Sequence, residues 1–148
     1  METRWDIGTR IAAAAAAAAF ALMAGCAAIQ YEATGQQLRL DGSKEVPPVD
    51  TMAYGTATVN IADDRSVVVT LSVMNMTPTA AHIHEGAPGA NGPVIVPFNR
   101  ISGDSFVAPD GARLTDAQYA SYKAGNLYLN VHSAKYPGGE VRAQIAAR

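Results

Sequence analysis

The chain carries one cysteine, three histidines and few charges: only 16% of its 148 residues are Asp, Glu, Lys or Arg. A single cysteine excludes an intramolecular disulfide, and it excludes a metal cluster built from thiolates. A formal net charge of −2 without a clustered basic patch leaves no electrostatic footprint for nucleic acid. Catalytic signatures are missing too. There is no carboxylate pair, no activated nucleophile and no cofactor fingerprint, so a binding role is favoured over catalysis. Long apolar runs are absent. Residues 11–24 form the one extended stretch, and its 14 residues fall short of the roughly 20 that a membrane-spanning helix needs. The apolar content of 49% is inflated by the alanines of that stretch and does not signal a large core.

What stands at the N-terminus reads as an export signal. Arg4 and Arg10 precede the apolar stretch, and small residues follow it. Leu22-Met23-Ala24-Gly25-Cys26 resembles a bacterial lipobox, with Met23 where Leu is more usual. The resemblance implies a lipoprotein signal peptide over 1–25, lipidation of the Cys26 thiol, and an exported chain anchored to a membrane of the cell envelope. Ala27 stands where an inner-membrane retention signal would place Asp, which tilts the expectation toward the outer membrane, or a periplasm-facing anchor, if the cell is Gram-negative. The competing reading is an Ala-x-Ala cleavage site followed by an incidental cysteine. Residues 26–37 read as a polar tether, and the folded domain is expected over 38–148.

Within that domain the pattern has period two. Ala57, Val59 and Ile61 alternate with Thr56, Thr58 and Asn60. Val67, Val69, Leu71 and Val73 alternate with Val68, Thr70, Ser72 and Met74, and Asp63-Asp64 marks the turn between the two runs. Such alternation predicts an antiparallel sheet with one face toward water. Further strands are expected over 79–85, 94–96, 126–133 and 140–145. The Gly/Pro/Asn loop 86–93 separates the first two of these, and Pro137-Gly138-Gly139 the last two. One short helix is predicted over 116–123. Thr115 and Gln118 form a capping-box pair, Leu114 and Tyr119 hold the staple positions, and Lys123 and Gly125 mark the end. Roughly seven or eight strands without an internal repeat predict an all-β fold, an antiparallel β-sandwich or barrel with Greek-key-like connections.

Several ordered segments resemble one family, the CHRD (chordin-type) domain. They are Glu45-Val46-Pro47-Pro48-Val49, Ala81-His82-Ile83-His84-Glu85-Gly86-Ala87-Pro88-Gly89 and Asn91-Gly92-Pro93-Val94. Toward the C-terminus come Leu114-Thr115 with Gln118, Ala124-Gly125-Asn126-Leu127-Tyr128, Asn130-Val131-His132 and Tyr136-Pro137-Gly138-Gly139-Glu140-Val141-Arg142. The resemblance covers roughly residues 38–146. It implies a β-sandwich-like extracytoplasmic domain and does not imply a settled biochemical activity.

All three histidines lie in these motifs. His82 and His84 are two apart on an expected strand, so both side chains leave one face, with Cα atoms about 6.5–7 Å apart. His132 lies on a later strand and adds a third imidazole if the two strands are neighbours. Imidazole suits copper, zinc, iron and nickel, and copper is the favoured ion here. A metal-bound imidazole donates its other N–H to an oxygen. Glu85, Asn130 and Glu140, with Arg142 alongside, are the candidates to support the three rings. The alternative is three polar residues on a half-exposed strand or under the 86–93 loop.

The order His-x-His, Val-His, Gly-Gly and Arg is similar to that of copper-zinc superoxide dismutase, also a β-sandwich. That likeness implies copper on His82, His84 and His132 and an anion guided by Arg142. The chain lacks a fourth bridging histidine, a zinc ligand set and a disulfide pair. Three functions therefore stand open. The first is a non-catalytic, metal-binding envelope lipoprotein. The second is an interaction module for an envelope-protein or matrix partner. The third is a copper-dependent dismutase-like enzyme.

Overall fold

The computed structural model describes residues 35–148. The expected signal peptide over 1–25, Cys26 and the tether up to residue 34 lie outside the described residues. The chain enters strand β1 (Gln36–Asp41), makes a 3-10 turn (Gly42–Lys44) and crosses a long loop to β2 (Tyr54–Ile61). Then follow β3 (Val67–Met74), β4 (Pro78–Glu85), β5 (Val94–Pro97), β6 (Asn99–Ser102) and β7 (Ser105–Val107). Helix α1 (Asp116–Lys123) precedes β8 (Leu127–Ser133) and β9 (Val141–Ile145).

The strands form one antiparallel sheet in the order β5-β4-β8-β9-β1-β2-β3-β7-β6, curled into a nearly closed barrel. Pairs of consecutive strands make up most of the sheet, and the long-range pairs β3–β7, β4–β8 and β9–β1 join them. The barrel thus settles the choice between sandwich and barrel. One continuous segment bridges its seam. β5 pairs with β4 while β6 pairs with β7. Between them the Phe98 N–H donates to the Ala81 carbonyl at 3.0 Å, and the Arg100 guanidinium donates to the Pro78 carbonyl.

Alternation places the core. Every second residue of β3 is buried, beginning with Val67 and ending with Val73, and the residues between are exposed. Ile83, Leu127, Leu129, Val131, Val141 and Ile145 turn inward and are fully buried. Three strands were not legible as such, β7 among them, because its three residues are too few to show a period. β6 is exposed at all four positions, and a strand with no inward apolar face leaves no period-two signal. β1 begins two residues ahead of the expected domain start. Gln36 holds that end: its side chain donates to the Ala146 carbonyl at 2.9 Å and accepts from the Ala146 N–H at 2.8 Å.

Helix α1 begins and ends where its signals lie. The Thr115 hydroxyl accepts from the Gln118 N–H at 3.2 Å, and the Gln118 side chain accepts from the Thr115 N–H at 2.9 Å. At the other end Gly125 takes φ +76°, a conformation that side chains disfavour. The Asn126 N–H then donates to Ser121 at 2.9 Å and the Gly125 N–H to Tyr122 at 2.8 Å, the two bonds of a Schellman stop. Thr115→Ala removes the cap and is expected to cost about 1 kcal/mol of stability by urea denaturation. An unchanged midpoint would show that the helix start is held by packing alone.

Candidate metal centre

β8 lies between two buried layers. Leu127, Leu129 and Val131 face the barrel interior, while Tyr128 and Asn130 on the outer face are also buried and His132 is half-buried. The polar face expected to meet water is instead roofed by loops. The roof comes from the segment after β1, the 86–93 loop and the β8–β9 turn. Under it lie Glu45, His84, Asn130, Glu140 and Arg142, all buried.

Register brings the histidines together. β4 and β8 are antiparallel neighbours, with Ala80 opposite His132, His82 opposite Asn130 and His84 opposite Tyr128. Directly opposed residues share a face, and so do their diagonal neighbours. The rings lean toward one another, with centroids 5.4 Å apart for His82–His84, 4.9 Å for His82–His132 and 5.9 Å for His84–His132. One nitrogen from each ring lies within 4.8 Å of the others. Two nitrogens bonded to one ion at about 2.0–2.1 Å would lie roughly 3.4 Å apart. An ion held by all three would draw these nitrogens closer together than they stand here.

The hydrogen bonds fix which nitrogens are free. His84 Nδ1 lies 2.9 Å from the Gly92 carbonyl and His132 Nδ1 lies 2.9 Å from the Pro137 carbonyl. A carbonyl only accepts, so both Nδ1 atoms carry hydrogen and both Nε2 atoms are bare. His132 Nε2 accepts from His82 Nδ1 at 3.0 Å. His84 Nε2 is buried and has no partner. Burial pushes all three rings down from the usual imidazole range. His82 is pushed down to about 4, with His132 and His84 adding to the effect of burial. At neutral pH the cluster is uncharged, the state in which imidazole binds metal.

The supporting oxygens differ from those expected. They are the main-chain carbonyls of Gly92 and Pro137, not the carboxylates of Glu85 and Glu140. Glu85 accepts from the Ser121 hydroxyl. Glu140 accepts from the Thr51 hydroxyl at 2.7 Å. Asn130 stands across from His82 but donates to Glu45 at 2.7 Å, and its Oδ1 is buried without a partner. The carbonyls sit in loops, where side-chain identity gives no warning of them. Gly92 was legible only as a loop glycine. Its real constraint is close approach, because a Cβ there would fall inside the Glu85 carbonyl.

Arg142 is not placed to guide an anion from solvent. It lies on β9, paired on both sides, and is 2% exposed. Its guanidinium sits 3.5 Å over the Tyr128 ring and donates to Asn91 Oδ1 at 3.0 Å and to the Ala90 carbonyl at 2.9 Å. Tyr128 in turn stacks on His84, centroids 4.9 Å apart and planes 12° from parallel. Arg142, Tyr128 and His84 thus form a three-layer stack. The even spacing of Tyr128 from Asn130 and His132 places it on the histidine face.

A CHRD domain model matches residues 36–145. No curated protein and no solved structure shows a significant match to the chain.

The buried carboxyl behind Asn130 has a measurable consequence. Burial pushes Glu45 up to about 7, against the pull of Arg142 and the Asn130 hydrogen bond. A folded-state value above the unfolded one means stability is fullest below about pH 4.5 and is lost as pH rises through 7. Glu45→Gln keeps an acceptor for Asn130 and removes the charge. Relative to wild type it should gain about 1–3 kcal/mol in urea unfolding between pH 4 and pH 8. A difference between the two proteins that does not change with pH would show that Glu45 carries no such penalty.

Proposed function

The chain belongs to the CHRD family, and from that premise we propose that it is a cell-envelope lipoprotein whose domain binds one transition-metal ion, copper in preference, without catalysing a reaction. His82, His84 and His132 are the ligands. The observation that carries the reading is the buried, unpartnered Nε2 of His84 beside two further imidazoles. Leaving a buried polar atom unpaired costs about 1–3 kcal/mol, and an ion on that lone pair removes the deficit. The set is built of nitrogen alone, which suits copper better than the oxygen-seeking ions. Main-chain carbonyls hold two of the rings from behind, as bound imidazoles require.

The interaction-module reading expects scattered histidines, and they are gathered. The dismutase-like reading needs Arg142 to meet an anion from solvent, and its guanidinium is buried under the 86–93 loop. The lipid anchor is supported by the lipobox-like segment and by the absence of any other cysteine.

Titration of the purified protein with copper and with zinc, followed by calorimetry and metal analysis, tests the site. One tight equivalent of copper is expected, and His82/His84/His132→Ala should lose it while unfolding normally. Equal binding by wild type and variant would sink the assignment. The anchor is tested separately: Cys26→Ser is expected to move the chain from the membrane fraction to the soluble one. Retention of that variant on membranes would refute lipidation.

A further inference from the structure

Resting on that reading of the histidine site, the geometry points to a centre selective for monovalent copper over divalent ions, with Arg142 as the residue that sets the preference. Two separate observations lead there. The first is the donor set. Three neutral imidazole nitrogens converge, and the carboxylates in range by sequence are committed elsewhere, Glu85 to Ser121 and Glu140 to Thr51. Divalent copper favours a tetragonal set of nitrogen and oxygen donors. A d10 ion has no geometric preference of its own and accepts three donors. Cu(I) is such an ion.

The second observation is the charge behind the site. The Arg142 guanidinium is buried and fixed 3.5 Å from the centre of the Tyr128 ring, which stacks on His84 with centroids 4.9 Å apart, so its field reaches the site from behind. A charge roughly 8–10 Å from the bound ion, at an effective dielectric near 20, makes each added positive charge about ten- to thirtyfold harder to hold. Zinc is also d10, but it brings two charges and pays this twice.

Nearby anions do not cancel Arg142. Asp41 pairs with it across the ladder, yet the Asp41 carboxylate is taken by Arg39 at 2.9 Å and Lys44 at 3.1 Å. Glu45 is the other acidic neighbour, and burial keeps it partly protonated at neutral pH. No anionic ligand is present in the three-histidine cluster to offset a second charge on the metal. Arg142 touches no histidine itself, so it acts as a positioning and charge-setting residue through Tyr128.

The test is the reduction potential of the copper-loaded protein, read by voltammetry beside separate Cu(I), Cu(II) and Zn(II) affinities. Arg142→Met is expected to lower the potential by about 60–90 mV, the equivalent of the ten- to thirtyfold change at about 59 mV per tenfold. Arg142→Lys keeps the charge and should restore most of that loss, which mere packing would not do. Should the Met variant fail to fold, Glu45→Gln at pH 8 asks the same question with the opposite sign, and the potential should rise. Copper bound with a potential indifferent to these charges overturns the inference and leaves the metal site standing. No metal bound by wild type in any state removes the site and the inference together.

Discussion

Burying the guanidinium of Arg142 takes a permanent charge out of water, at a cost of several kcal/mol unless donors and face are matched. The structure matches them from two loop positions and one ring. Ala90 and Asn91 accept from its edge, and Tyr128 takes its face. The requirement runs outward from there. Asn91 also donates to the Val46 carbonyl at 2.6 Å, which ties the 86–93 loop to the segment after β1. Gln144, on the same face of β9, donates to the Gly86 and Gly125 carbonyls at 3.0 and 2.8 Å. One buried cation thus helps organise the roof over β8, and the roof supplies the carbonyls that orient the histidines.

The two faces of the sheet divide the labour. The inner face is apolar, and its burial is roughly proportional to stability whatever the fine geometry. The outer face between β4 and β9 is polar and buried, where each unpaired group carries its own penalty. Packing inside closes the barrel, while the polar layer decides which loop conformations are acceptable above it. Two groups in that layer remain unpaired, His84 Nε2 and Asn130 Oδ1, and both lie on the histidine face. Each of the two carries the cost of a hydrogen bond left unmade.

Sequence periodicity made the strands, the capped helix and the shared face of His82 and His84 legible. These depend on local rules: alternation for strands, and side-chain-to-backbone pairing for the helix ends. Whether His132 joined the other two depended on β4 and β8 being neighbours, a pairing of distant segments that no local rule reveals. The outer cover over β8 was equally hidden. Alternation tells which residues share a face but not whether a loop will later cover it. Arg142, expected from the dismutase likeness to guide an anion, is instead the most deeply buried charged group of the site. The carbonyls of Gly92 and Pro137 could not be found from residue type at all, since every residue has one.

Backbone carbonyls also impose an asymmetry on the cluster. Two rings have their tautomers fixed from outside the cluster, so their free nitrogens are committed before any ion arrives. The His82 proton is held only by the third ring's lone pair, across 3.0 Å. A nitrogen cannot keep that proton and bind a metal through the same lone pair. Neutral imidazole can carry its hydrogen on either nitrogen, so moving it from Nδ1 to Nε2 changes no net charge. The register places Asn130, whose carbonyl oxygen lacks a donor, directly opposite this residue. The cluster therefore has two rigid donors and one adaptable donor. An ion held by all three rings would be accommodated at His82, the one ring not tied to a main-chain carbonyl.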